Sequence, residues 1–238
     1  MFLTFEDRPS NSPLIERVWR CHSTAGGVFH SMAEGNLELV VTRLPGFTRV
    51  TLRGPVTRAT TVACPPNGQW FAIRFRPGTY LPQLPTVLLL DHSDLDFPLY
   101  TERLFWFEGT AWEIPTFENA ETFVNRLARR GFIARNPAVA AALSGDPQAL
   151  TLRSVQRHFL HVTGMTHNRF RQIERARHAV HLLRSGSSIL DVVHSAGYFD
   201  QAHLTRSLKH LIGQTPLKVL RNESQLSFLY KTAPAANR

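Results

Sequence analysis

Ser188 to Pro216 reads SILDVVHSAGYFDQAHLTRSLKHLIGQTP, two short helical patterns broken at one glycine. Ser188 followed by Asp191 is a start of the capping-box kind, and Ile189, Val192 and Val193 form an apolar stripe at helical spacing. Gly197 stops that helix. Asp200 is a good N-cap for a second, in which Leu204, Leu208 and Leu211 recur at helical spacing until Gly213 and Pro216 end it. At ~100° per residue, Ala202, Thr205, Arg206 and Lys209 fall opposite the leucines, with Gln201 at the N-terminal edge. A methyl, a hydroxyl, an amide and two cations on a helix that follows a glycine turn suit a DNA major groove. The plainer alternative is a basic, solvated face on a small helical domain.

Outward from that stretch, the charge is unevenly spread. The chain has 238 residues and a formal net charge of +9. Between Leu150 and Arg221, eleven Arg or Lys stand against three acids, Glu174, Asp191 and Asp200, so almost the whole excess lies there. A near-neutral first part joined to a basic last part assigns polyanion binding to the latter. The length is sufficient for two domains with their own cores. No run approaches the ~18 apolar residues of a membrane span, and MFLTFEDRPS lacks a cationic start with an apolar core, so neither membrane nor signal peptide is expected. Two cysteines, Cys21 and Cys64, imply no disulfide framework and fit a reducing cytoplasm.

Residues 1–115 carry short β-type runs: Leu37–Thr42, Arg49–Arg53, Thr60–Ala63 and Trp70–Arg76, the last with Phe71, Ile73 and Phe75 on one face and Arg74 and Arg76 on the other. Pro45-Gly46, Gly54-Pro55, Pro65-Pro66-Asn67-Gly68 and Pro77-Gly78 separate them as turns. This spacing suggests an antiparallel barrel or sandwich. Leu14–Arg20 reads equally as a short helix or an edge strand. From Thr116 to Gly131, Phe117, Ala120, Val124 and Leu127 give an amphipathic helix with Arg126, Arg129 and Arg130 near its C-terminus, where cations suit the dipole. It would pack on its own sheet or make a dimer or inter-domain contact.

Beyond residue 136 the pattern is helical. Asn136-Pro137 opens an alanine-rich helix that breaks at Ser144-Gly145-Asp146-Pro147. Thr151 precedes a helix with core positions Leu152, Val155, Phe159 and Val162, ended by Gly164, whose outward face carries Arg153, Gln156 and Arg157. A long helix, Thr166–Arg184, buries Phe170, Ile173, Ala176, Val180 and Leu183 and spans ~28 Å. That length is close to the ~34 Å between major-groove faces on one side of B-DNA.

These residues resemble the DNA-binding domain of AraC/XylS-type transcriptional regulators. The match runs through Ser154-Val155-Gln156-Arg157-His158-Phe159, Thr163-Gly164, Arg175–Leu183, Gly197-Tyr198-Phe199-Asp200-Gln201-Ala202-His203-Leu204-Thr205-Arg206 and Gly213-Gln214-Thr215-Pro216. The resemblance implies two helix-turn-helix subdomains bridged by a helix. DNA contacts would come from Arg153, Ser154, Gln156 and Arg157 in the first and Gln201, Ala202, Thr205, Arg206 and Lys209 in the second. Arg pairs with guanine and Gln with adenine, while Ala202 is restricted to a thymine methyl; contact with phosphate is as common as contact with a base. Ser207-Leu208 departs from the family's acidic-aromatic pair, and the first unit's leading helix is short.

More weakly, Arg8-Pro9, Val18-Trp19, Glu34-Gly35-Asn36 and Arg74-Phe75-Arg76-Pro77-Gly78 resemble a cupin-like sensor domain that precedes this module in part of the family. The expected fold is therefore α+β. An N-terminal antiparallel cupin-like barrel (1–115) is followed by a connecting helix (116–135), an all-α double helix-turn-helix domain (136–226) and a tail (227–238). The expected function is that of a sequence-specific, cytoplasmic, one-component transcriptional regulator without enzymatic activity. Its partners would be operator or promoter DNA and RNA polymerase, with a small-molecule effector at the N-terminal domain and a second copy of the chain as further candidates.

Other chemistries leave thin traces. His22, His30 and His92 lack the His-His-Glu spacing of a facial metal site, and His158 with His161, or His178 with His181, are ordinary polar helix residues before they are ligands, so no metal or cofactor is expected. An alkylation-repair protein with a cysteine acceptor would require Cys64 to be activated, yet two prolines follow it and no histidine adjoins it. Non-specific DNA binding is the remaining alternative. Trp19, Trp70, Trp106 and Trp112 could line an effector pocket or fill a core.

Overall fold

In the computed structural model, residues 3–91, 94–145 and 151–221 are described. His92, the Asp146-Pro147 break and the 227–238 tail lie outside them. The first part forms strands β1 (Leu3–Pro9), β2 (Ile15–Ser23), β3 (Gly27–Ser31), β4 (Glu38–Leu44), β5 (Phe47–Arg53), β6 (Thr60–Cys64) and β7 (Gln69–Phe75). There follow β8 (Thr79–Tyr80), β9 (Leu95–Phe97), β10 (Leu104–Phe107), β11 (Thr110–Glu113), helix α1 (Ala120–Arg129) and β12 (Ala134–Arg135). The rest is helical: α2 (Pro137–Ser144), α3 (Leu152–Thr163), α4 (His167–Arg184), α5 (Ile189–Ser195), α6 (Gln201–Leu211) and α7 (Pro216–Leu220). The order is that of a β-rich region followed by a helical one.

The chain divides into two compact units. One comprises residues up to 26, 36–55 and 65–166; the other comprises 27–35, 56–64 and 167 onward. The expected boundary near residue 136 does not follow this division, since α2 and α3 fall in the first unit and the β3 and β6 segments in the second.

The first unit is built on a six-stranded antiparallel sheet in the order β1-β2-β7-β4-β5-β9. Cross-strand register sets Val18, Ile73, Leu39 and Leu52 side by side on four neighbouring strands. Two-residue periodicity puts Phe71, Phe75, Val41 and Val50 on the same face, which buries them together. The β10-β11 hairpin and α1 cover that face with Phe105, Phe107, Trp112, Phe123, Val124 and Leu127. Trp112 stands edge-on to Phe123 and Phe132, with ring centroids 6.0 and 5.9 Å apart.

The expected cupin-like barrel is not closed. Among the described residues, β1 pairs only with β2 and β9 only with β5. Closure requires the two edges to be brought together by strand tilt and stagger. Here α1 and the hairpin fill the space over the apolar face instead, leaving a gap of only about 20 Å³ among Phe75, Phe97, Phe105 and their neighbours. The Leu14–Arg20 stretch, open between helix and edge strand, enters β2 from Ile15 onward, and β2 is an interior strand. The helix anticipated from Thr116 begins at Ala120, because the Asn119 side chain turns back to accept from the Thr116 N–H. Phe117, left outside it, lies under the guanidinium groups of Arg8 and Arg20. Phe123, absent from the expected stripe, is a central core residue.

The N-terminal family-like residues prove structural. Arg8 donates to both Glu121 oxygens and to the Phe117 carbonyl, and this pairing holds the Glu121 carboxyl down to about 2. Arg74 is only 1% exposed and lies 3.2 Å from Glu16, which also accepts from the Asn36 amide. Arg76 donates to the carbonyls of Ser10 and Ser12.

In the second unit, β3 and β6 pair antiparallel from Gly27 opposite Cys64 to Ser31 opposite Thr60. The backbones of Glu34 and Val56 exchange both hydrogen bonds at 2.8 Å just beyond. The residues flanking this ribbon meet α4 and the end of α6: Arg177 donates to Glu34, Arg169 to the Thr57 carbonyl, and the Ala33 and Ala59 N–H groups donate to the Leu211 and His210 carbonyls. The ribbon's expected β-character was visible only in Thr60–Ala63, and its union with the helices was not anticipated.

Candidate nucleic-acid interface

In the first unit, the Asn136 side chain caps α2 by accepting from Ala138 and Val139, while the Asn136 N–H donates to Gly78. The short β8-β12 ladder leads directly into that cap. Thr151 caps α3 through the Ser154 N–H. Phe159 and Val162 are buried as expected, but Leu152 at the first helical position is 83% exposed and the stripe packs only from Val155 onward. Arg153, Gln156 and Arg157 are exposed together on the opposite face, with Ser154 half-buried beside them. Leu160, 52% exposed, completes that face and was not singled out in the sequence. His158 and His161 lie at its margin: His158 is 3.4 Å from the Asn136 amide and His161 is edge-on to Tyr80.

The second unit holds the helix-turn-helix of α5 and α6. Ser188 caps α5 through Asp191, and Asp200 caps α6 by accepting from the His203 N–H at 2.6 Å. Gly197 makes the turn in the left-handed region at φ 67°, where a side chain would be strained. Arg175 of α4 braces the turn, donating to the Gly197 carbonyl and stacking 4.5 Å from the Tyr198 ring. Burial raises the Tyr198 phenol, whose oxygen is 3.2 Å from the Ser207 hydroxyl. Leu204, Leu208 and Leu211 are buried. Gln201, Ala202, Arg206 and Lys209 are exposed and Thr205 is half-buried among them.

The two helices repeat one another. A shift of 49 positions, Leu152 onto Gln201, aligns the caps Thr151 and Asp200, the core positions Phe159 and Leu208, and the terminal glycines Gly164 and Gly213. On the exposed face it aligns Arg153 with Ala202, Gln156 with Thr205, Arg157 with Arg206 and Leu160 with Lys209. Both glycines have positive φ, 69° and 82°, and both are crowded. A Cβ on Gly164 would lie 3.0 Å from the Val87 backbone, and one on Gly213 would lie 3.2 Å from Ala59.

Not every cation of the basic half is available to a polyanion. Arg177 pairs with Glu34 at 2.8 Å and with Glu174 at 3.1 Å, and Arg169 donates to the Thr57 carbonyl at 2.7 Å. With Arg175 in the turn, three cations that the charge count had grouped with the rest hold α4 to its neighbours.

Elsewhere, Cys21 and Cys64 are buried thiols, which sets Cys64 apart from an acceptor that must reach an alkylated base. Among the described residues no three His, Cys, Asp or Glu side chains converge, and no helix is long and apolar enough to cross a membrane. Of the four tryptophans, Trp112 and Trp19 are core, Trp106 pairs with Tyr100, and Trp70 lines an open cleft of about 570 Å³ with Arg20, Cys21, Arg43 and Phe117.

Residues 148–222 match a family model described as a helix-turn-helix domain. Among solved structures, that of ToxT from Vibrio cholerae is similar over 92% of this chain and 98% of its own, at 12% identity and a TM-score of 0.40. No curated protein sequence matches the chain.

Proposed function

We propose that this chain is a DNA-binding transcriptional regulator of the AraC type and that it reads an operator through two helices, α3 and α6, both within residues 148–222, which match a helix-turn-helix domain. The observation that carries the reading is the pair of exposed faces, Arg153-Gln156-Arg157 and Gln201-Ala202-Thr205-Arg206-Lys209, each opposite a buried stripe. Arg157 and Arg206 occupy equivalent positions and suit guanine; Gln156 and Gln201 suit adenine. Lys209 and Arg153 supply phosphate contact, and Ser154, near the α3 N-terminus, a hydroxyl donor.

The test is binding-site selection from a random duplex pool with the full chain. Arg157→Ala and Arg206→Ala each weaken the selected duplex by ~1–3 kcal/mol and spare non-specific binding. Uniform loss on every sequence would identify both as phosphate contacts and leave non-specific binding as the better account.

Signal reception belongs to the β-rich region. The cleft beside Trp70 and Arg43 has the size of a small-molecule site, and an effector there would lose its influence on DNA affinity in Trp70→Ala. Removing residues 1–115 is a poor probe of this coupling, because the β3 and β6 segments belong to the same unit as α6. The reading assigns the chain a cytoplasmic place and no catalysis, with RNA polymerase and a second copy as partners; sedimentation with and without the selected duplex measures the latter.

A further inference from the structure

Phe199 is 90% exposed, the most exposed large apolar side chain among the described residues. It immediately precedes Asp200, the cap of α6. An apolar residue in that place ordinarily staples the helix start by packing on the fourth helical residue. Here that residue is Leu204, which is fully buried beneath other side chains while Phe199 remains in solvent. The local fold therefore gives no structural reason for a phenyl ring at this position.

The ring is nevertheless firmly presented. On one side, Tyr198 is buried, its N–H donates to the Val193 carbonyl at 2.8 Å, and Arg175 stacks on its ring. On the other, Asp200 is fixed by its cap to His203, and the Phe199 N–H reaches the His203 Nδ1 at 3.5 Å. The backbone carrying the ring is braced before and after it. Three residues on is Ala202, also exposed and also without a hydrogen-bonding group.

We propose that Phe199 and Ala202 together form an apolar reading pair at the N-terminal end of α6, and that its target is the 5-methyl group of thymine. This is the one apolar feature that a base pair displays in the major groove. A phenyl ring can distinguish thymine from cytosine or adenine there without a hydrogen bond. The proposal rests on α6 being the reading helix of its helix-turn-helix. It adds a specificity residue on the turn side of the cap, where the polar pattern of the helix gives no hint of one.

The experiment removes only the methyl. Duplexes selected by the full chain are remade with uracil in place of thymine, one position at a time. The expected result is a loss of about fourfold at one or two thymines of the half-site read by α6, the worth of one buried methyl. Phe199→Ser, a change at a solvent-exposed site, should make the protein indifferent to uracil at one of those positions, and Phe199→Leu should keep part of the discrimination. If uracil is tolerated everywhere while Arg206→Ala still weakens the selected duplex, the thymine assignment fails and α6 as the reading helix stands. If Arg206→Ala also leaves affinity unchanged, the reading-helix assignment itself is wrong and the proposal falls with it. Lost transcription output in Phe199→Ser with every duplex affinity unchanged would overturn it in favour of a protein contact.

Discussion

Set Leu152 against Gln201, and α3 and α6 have the same frame but different chemistry. Caps, buried stripe and terminal glycine coincide. On the exposed face only the arginine pair, Arg157 and Arg206, is shared. Where α3 offers Arg153, Gln156 and Leu160, α6 offers Ala202, Thr205 and Lys209. A fold that fixes where a side chain emerges leaves its identity to selection, so under the proposed DNA reading the common arginine would serve a common task and the other positions would read two different half-sites. The braces differ as well. The glycine ending α3 abuts the turn at Val87, whereas the one ending α6 abuts Ala59, and the backbone carbonyls of Leu211 and His210 accept from Ala33 and Ala59.

That comparison can be broken at its core first. Phe159→Ala and Leu208→Ala each empty a fully buried site, and costs of ~3–5 and ~2–5 kcal/mol are expected. If the two units melt independently, calorimetry should show each substitution lowering a different transition; a single transition lowered by both would make the frame one cooperative whole. Next is the brace of the second unit. Arg177→Ala removes the Arg177–Glu34 ion pair at a site where both side chains are about 15% exposed, and should cost ~1–3 kcal/mol in denaturant titration. Arg177→Lys should recover part of it.

The glycine pair gives smaller effects. Gly164→Ala and Gly213→Ala place a methyl at positive φ and against a neighbour, for ~1–2 kcal/mol each. The former should cost more, because its Cβ meets backbone at Val87 rather than a side chain. The smallest effect separates the units by pH. With Arg8 holding Glu121 at about 2 against an ordinary value of 4.5, its stabilisation is full above the ordinary value and is lost as pH falls from there toward 2. Acid titration of Glu121→Gln should therefore lack this part of the acid limb in the first unit and leave the second unchanged.

The helical half was largely legible. Leu204, Leu208, Leu211 and the α4 stripe recur at helical spacing, and Ser188, Asp200, Gly197 and Gly213 punctuate them, so local rules and tertiary packing agree. The strands were legible where apolar residues recur at every second position, as in β7, and not where polar and charged residues fill most of the strand, as in β1. Whether the sheet closes depends on what covers its face, which no single strand records. The ribbon was hidden because its partners, such as Arg177 for Glu34 and Arg169 for Thr57, lie more than a hundred residues away. Phe199 escaped notice for a related reason: an apolar residue before a cap reads as a staple until the burial of Leu204 shows that it is not one.

The ribbon also imposes an order in time. Glu34 and its partner Arg177 are 143 residues apart, so at ordinary rates of synthesis roughly 7–30 s separate their emergence from the ribosome. For that interval, β3 and β6 are a two-stranded sheet with unpaired edges and no helix to lean on, a species that is marginal in isolation and prone to pair wrongly. The second unit is thus completed only after its earliest-made part has waited for its latest, and slowing translation between residues 64 and 167 should lower soluble yield more than slowing it after 185.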